Sequence, residues 1–215
     1  MLNLVTEKQL TPNDEFEELA SEEQIERTVQ ALQANNIEAL VAENAEEARR
    51  LFFERLPEGA EVFLGSSVTL ETLGIKDEID SSGRFNSLRT RMWSMDRTAQ
   101  AREIRKIGAG PDYAAGSVHA VTENGQVLIA SNTGSQLGPY ASGAGKVIWV
   151  VGAQKIVRDL EEGFRRIAEY IVPLEEVQMQ QLYNTHTHIS KVLIVNKEIR
   201  PGRITMIIVK EELGY

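Results

Sequence analysis

Apolar and polar positions along the chain follow two periods, and the switches between them outline the elements. From Ser21 the run SEEQIERTVQALQANNI sets Ile25, Val29 and Leu32 on one stripe. A Ser at the N-cap position, acidic residues in the first turn and Asn35-Asn36 at the end complete the pattern of an amphipathic helix. A short strand at Ile37 to Ala42, a helix from Ala45 to Leu56 closed by Pro57-Glu58-Gly59, and a strand at Glu61 to Leu64 follow. Helices alternating with short apolar strands predict βαβ units and a parallel sheet. Further on, Ser94 to Ile107 reads as a helix capped by Gly108. Tyr113 to Thr122 and Gln126 to Ala130 read as strands joined through Asn124-Gly125, a pair that favours a tight hairpin because both residues accept positive φ. A small-residue helix at Gln136 to Ser142 then precedes Lys146 to Val151, whose unbroken apolar run marks a fully buried strand ending at Gly152. A helix from Asp159 to Ile171, with Leu160, Phe164, Ile167 and Ala168 inward, is expected to stop before Pro173. Lys191 to Val195 and Ile204 to Val209 read as an edge hairpin joined through Pro201-Gly202.

Composition narrows the class. The 215 residues suit one domain, 42% hydrophobic and 26% charged content is ordinary for a globular protein, and no apolar run reaches the length of a membrane span. The absence of Cys removes disulfides, thiolate metal sites and iron–sulfur clusters from this chain's own chemistry. The N-terminal stretch lacks the features of a secretory signal, so a cytoplasmic location is expected. A net charge of −9 argues against nucleic acid as the main partner. Residues 1 to 20, acidic and interrupted by Pro12, read as a poorly anchored arm or a partner-docking segment, and 21 to 215 as a single α/β domain. A homo-oligomer is expected, and no cofactor.

In an open parallel sheet, ligands sit outside the carboxyl ends of the strands. Three such ends carry suitable chemistry. Gly65, Ser66 and Ser67 offer backbone N–H groups and hydroxyls to an anionic or polar ligand, a plain N-cap being the alternative. Asn132, Thr133, Gly134 and Ser135, within the turn from Ser131, form the second, and Gly152 to Lys155 the third. Glu123 stands at the lip of the hairpin turn, with His119 on the same face of the incoming strand by alternation, and the two are candidates for base or nucleophile and partner. A solvent-facing Glu and a satisfied core His are the alternative. In the basic stretch from Ser81 to Gly110, Arg89 and Arg91 beside Trp93 are candidates for gripping a carboxylate or phosphate, against a solvated basic face. The basic residues 102, 105 and 106 suit the last turn of the expected helix. His186 and His188 alternate on an extended segment, but no third ligand lies nearby in sequence, so no metal is assigned.

The run Asp112-Tyr113, Ser117-Val118-His119-Ala120-Val121-Thr122-Glu123-Asn124-Gly125, Ser131-Asn132-Thr133-Gly134-Ser135-Gln136, Lys146 to Gly152 and Gln154-Lys155-Ile156-Val157 resembles the lactate-utilisation (LUD) domain family, to which lactate utilisation protein C belongs. The likeness continues through the helix from Asp159, Pro173-Leu174 and Pro201-Gly202-Arg203-Ile204-Thr205, about half the chain. It implies a Rossmann-like, mostly parallel sheet with helices on both faces, of the glucosamine-phosphate deaminase, ribose-phosphate isomerase and coenzyme A transferase-like type. In the wider group, coenzyme A transferases carry a catalytic Glu in a Glu-Asn-Gly motif similar to Glu123-Asn124-Gly125, and isomerases hold sugar phosphates on a loop comparable to Gly65-Ser66-Ser67. For the family itself, the resemblance implies oxidation of L-lactate to pyruvate, with this chain as the cluster-free member and partner subunits bringing iron–sulfur clusters. A small carboxylate or phosphate ligand is expected at the sheet edge. A transferase- or isomerase-like enzyme using Glu123 and a non-catalytic assembly or regulatory subunit stay open beside it.

Overall fold

The structure, a computed structural model, describes residues 11–215. The main layer is a six-stranded sheet built from β1 (Glu38–Ala42), β2 (Glu61–Leu64), β3 (Asn86–Ser87), β4 (Tyr113–Gly116), β7 (Lys146–Gly152) and β10 (Ile204–Val209) in the order β1-β10-β7-β4-β2-β3. Every pairing in it is parallel. Parallel strands in such a sheet are covered on both faces, and the central pair displays this residue by residue. Val147, Trp149 and Val151 of β7, with Met206 and Ile208 of β10, face α1 (Glu22–Ala34) and α5 (Leu88–Trp93). Ile148 and Val150, with Ile207 and Val209, face α2 (Ala45–Glu54), α3 (Val68–Thr72) and α4 (Ile75–Ser81). The parallel sheet expected from the alternating pattern, and the Rossmann-like layering implied by the resemblance, are therefore present.

A second sheet holds β5 (Ala120–Thr122), β6 (Val127–Ser131), β8 (Ile156–Val157) and β9 (Lys191–Val195) in the order β8-β5-β6-β9. It packs its own core against α7 (Leu160–Arg166) and the residues that follow. Two expectations change here. The single strand from Tyr113 to Thr122 is broken at Ser117 to His119, where the chain passes from the main sheet to the small one. The expected edge hairpin of the last two β runs does not form. Lys191–Val195 pairs antiparallel with β6, and Ile204–Val209 lies inside the main sheet between β1 and β7. The fully buried pattern of Ile204 to Val209 suits an interior strand, not an edge.

Helix ends differ for local reasons. The expected helix from Ser94 begins only at Ala101, as α6 (Ala101–Ala109), because the Asp96 side chain accepts the N–H groups of Thr98 and Ala99 and ties that stretch into a turn. Gly108 accordingly lies inside the helix, and Arg102 in its first turn. Pro173 does not stop the helix before it. After α7 the chain makes a π-turn at Ile167–Ile171 and continues as α8 (Val172–Tyr183), with Pro173 in its first turn. The wider turn absorbs the missing N–H, so the backbone passes through the proline.

Residues 1 to 10 of the expected arm lie outside the described residues. The part that is described is anchored, not loose: Asp14–Glu17 form a 3₁₀ turn, Phe16 is buried against Tyr170, and the Asn13 N–H donates to the Glu169 carbonyl. Among the described residues no helix is long and apolar enough to cross a membrane.

Candidate functional site

The carboxyl ends of three adjacent strands, β2, β4 and β7, open into one cavity of about 510 Å³. From β2 come Ser66 and Ser67, Ser67 being the N-cap of α3 through its hydroxyl. From β4 comes Ser117, where the chain leaves the main sheet. From β7 comes Lys155, in a single 3₁₀ turn after Gly152. The small sheet contributes His119 and the turn after β6, of which Asn132, Thr133 and Ser135 line the wall, and α8 lies across the cavity with Glu175 and Gln178. The three strand ends singled out from sequence thus meet in space.

Gly65 and Gly134 stand behind this lining as shape. A Cβ on Gly65 would come within 2.9 Å of the Tyr140 hydroxyl. Gly134 has φ +84°, and its N–H donates to Ser131 Oγ at 2.8 Å, which folds the turn. Only glycine adopts that backbone without strain.

The electrostatics are set by two buried basic side chains. Lys155 is 1% exposed, and its Nζ lies 3.1 Å from Thr69 Oγ1, 3.2 Å from Ser117 Oγ and 2.9 Å from the main-chain oxygen of Tyr215, the last residue of the sequence. Burial, and then the charge of Arg166, pulls the amine well below its ordinary value. Arg166 is fully buried on α7, where it donates from Nη1 to the His119 carbonyl at 2.7 Å and lies over the Tyr170 ring at 5.1 Å. Its Nε and Nη2 have no hydrogen-bond partner among the described residues. Burial brings Arg166 down to about 10, so it stays charged at neutral pH. His119 links the two: its Nδ1 accepts the Ala130 N–H at 3.1 Å, which puts the ring proton on Nε2. Burial, with the charges of Lys155 and Arg166, lowers the His119 ring to about 3, so it is a neutral donor.

At the mouth, Lys76 and Arg89 line the cavity, Lys76 pairing with Glu71 at 3.0 Å. Arg91, the other arginine expected to grip a ligand, is turned away. It is half exposed, its nearest carboxylate is Glu61 at 3.9 Å, and it does not line the cavity. Arg89 and Arg97 both stack on the exposed Trp93.

Glu123 is also placed elsewhere. The hairpin turn is a three-residue loop in which the Gly125 N–H donates to the Thr122 carbonyl at 2.8 Å, and only Gly125 has positive φ, at +79°. This is the type I turn with a glycine bulge, not the two-residue Asn-Gly turn. It docks on α1. The Glu123 carboxylate accepts Gln24 Nε2 at 3.0 Å and Arg27 Nε at 2.9 Å, and the Asn35 side chain donates to the Asn124 and Gly125 carbonyls. A Cβ on Gly125 would sit 2.7 Å from the Ala31 carbonyl carbon. Burial would raise the Glu123 carboxyl, but Gln24 and Arg27 outweigh it and hold it below the usual range. His119 and Glu123 therefore do not share a face or a cavity, because the break at Ser117 to His119 cancels the alternation that joined them.

Sequence reasoning passed over Ser117, Thr69 and Arg166. Ser117 stood in the family-like run, and a serine at a strand end was the available signal. Arg166 carried none, since it sits on a helix whose neighbouring arginine is at the surface. Among the described residues no three His, Cys, Asp or Glu side chains are grouped to hold a metal, and His186 pairs with Glu176.

A family model described as the LUD domain matches residues 25–214. The search of curated proteins gives no match. Among solved structures, the crystal structure of a DUF162 family protein from Deinococcus radiodurans superposes with a TM-score of 0.55 at 11% identity, covering 89% of this chain and 99% of that one. At that identity the likeness is one of fold.

Proposed function

We propose that this protein, which belongs to the LUD domain family, is a cluster-free component of a system oxidising L-lactate to pyruvate and binds a small carboxylate in the cavity beyond β2, β4 and β7. The observation that carries the ligand is the buried charge of Arg166 behind the cavity, with the Lys155 amine beside it. Arg166 forms no ion pair with a side chain of the described residues, and two of its donors are unsatisfied. A buried charge without a counter-charge is costly, and an anion in the adjoining cavity lowers that cost. The two acidic side chains that line the cavity are engaged, Glu71 by Lys76 and Glu175 by the Tyr215 hydroxyl at 2.7 Å. The Nε2–H of neutral His119 and the hydroxyls of Ser66, Thr133 and Ser135 supply the donors that orient a carboxylate or phosphate group. Iron–sulfur cluster-bearing subunits are the partners this reading calls for. Glu123 has no part in it, since its carboxylate is committed to α1.

The test is a thermal-shift series with lactate, pyruvate, inorganic phosphate, sugar phosphates and coenzyme A thioesters. A ligand at a hundred times its Kd stabilises by about 2.7 kcal/mol, or roughly 5–10 °C in a chain of this size. A shift with lactate or pyruvate that Lys155→Met abolishes is expected. Equal silence with every anion would overturn the reading.

A further inference from the structure

Ser117 and Lys155 stand in a relation that anion binding does not require. We propose that the cavity is an acyl-transfer site in which Ser117 Oγ is the nucleophile and Lys155 Nζ its general base, acting on a small ester or thioester that carries a negative charge. The proposal rests on the reading of this cavity as a ligand site, not on the identity of the carboxylate.

Nucleophile and base are 3.2 Å apart, within the reach such a pair needs. The base is held by further groups: Nζ is 3.1 Å from Thr69 Oγ1 and 2.9 Å from the Tyr215 main-chain oxygen. Thr69 Oγ1 donates its own proton to the Leu213 carbonyl at 3.0 Å, so towards Lys155 it can only accept. Nζ donates to Thr69, Tyr215 and Ser117 when it carries three protons. Once it has lost one, it keeps two N–H donors for Thr69 and Tyr215 and turns a lone pair to the Ser117 hydroxyl, which otherwise donates to the Val118 carbonyl at 3.5 Å. Burial, and then the fixed charge of Arg166 on α7, favour the neutral form of the amine. Facing the pair are neutral His119 and, on the cavity walls, Glu71 and Glu175 with their own partners. Ser117 is half-buried and lines the cavity, so substrate reaches it without any opening of the fold.

The step balances without a redox partner. As Oγ attacks the acyl carbon its proton passes to Nζ. The carbon–oxygen or carbon–sulfur bond then breaks, and the alcohol or thiol departs with that proton. Water attacks the acyl-serine, gives a proton to Nζ, and the acid leaves as Ser117 recovers its hydrogen. Lys76 and Arg89 at the mouth favour an anionic acyl chain.

The experiment is labelling of the full chain with a fluorophosphonate, read by intact mass and peptide mapping. The Ser117 Oγ–phosphorus bond forms, fluoride leaves, and the chain gains one adduct. Stoichiometric label on Ser117 is expected, with none there in Ser117→Ala and a rate at least 100-fold lower in Lys155→Met. Should Lys155→Met not fold, the pH profile of the wild-type rate decides: the rate should level off before the ordinary lysine range is reached. Absence of label at Ser117, an undiminished rate in folded Lys155→Met, or a wild-type rate that climbs through the ordinary lysine range overturns the proposal. Labelling needs no carboxylate, so label without a thermal shift from lactate or pyruvate contradicts only the ligand reading. A shift without label contradicts only the dyad.

Discussion

Glu123 carries its charge to α1, and the consequence can be measured. Its bonds to Gln24 and Arg27 are partly exposed, so Glu123→Ala should cost about 1 kcal/mol in denaturant unfolding and leave any ligand-induced shift at the cavity unchanged. Loss of ligand response in that variant would restore the transferase reading. Arg203 should cost far more. It is 4% exposed, pairs with Glu198 at 2.6 Å, and donates to the carbonyls of Pro139, Tyr140 and Ala144. Arg203→Met leaves Glu198 buried and uncompensated, and a loss of about 3–5 kcal/mol is expected by chemical denaturation. His119 gives a pH signature. Its folded value of about 3 lies below the unfolded value of about 6.5, so its contribution is fully present above that and lost as pH falls towards 3. The slope reaches about 1.4 kcal/mol per pH unit. In His119→Asn the stability curve between pH 6 and pH 4 should be flatter than in the wild type, by urea titration at each pH.

The elements differ in how far the chain announces them. The strand Lys146 to Val151 and the helix behind Ser21 could be read because their patterns are local: an unbroken apolar run, and a capping box of Ser21 with Gln24. The break at Ser117 to His119 could not, because apolar and small residues run through it, and what ends the strand is the second sheet waiting to pair. Pro173 misleads for a related reason, since the π-turn that accommodates it depends on packing of Ile167, Tyr170 and Ile171 against the small sheet. The π-turn at Pro139–Gly143 depends on close approach. A Cβ on Gly143 would lie 1.9 Å from the Ala109 carbonyl oxygen, a backbone atom that cannot step aside cheaply. Gly143→Ala should lower stability by about 2–3 kcal/mol, seen as a lower Tm.

At the scale of the whole molecule, the site is an agreement among strand ends. Ser66, Ser117 and Lys155 come from three neighbouring strands and are brought together only by the order β7-β4-β2, which no local pattern specifies. The Gly-Ser and Asn-Thr-Gly-Ser turns could be picked out beforehand because their composition is unusual. Arg166 and Thr69 could not, for they matter through what they face across the fold. The cavity thus gathers its chemistry from elements far apart in the chain, and the buried charge of Arg166 behind it favours an anion. Titration calorimetry of pyruvate and of lactate into the wild type and Lys155→Met at low ionic strength tests this most directly. Saturable binding in the wild type, weakened at least tenfold in the variant, is the predicted result. No saturable heat with either acid, or the same affinity in both proteins, would contradict it.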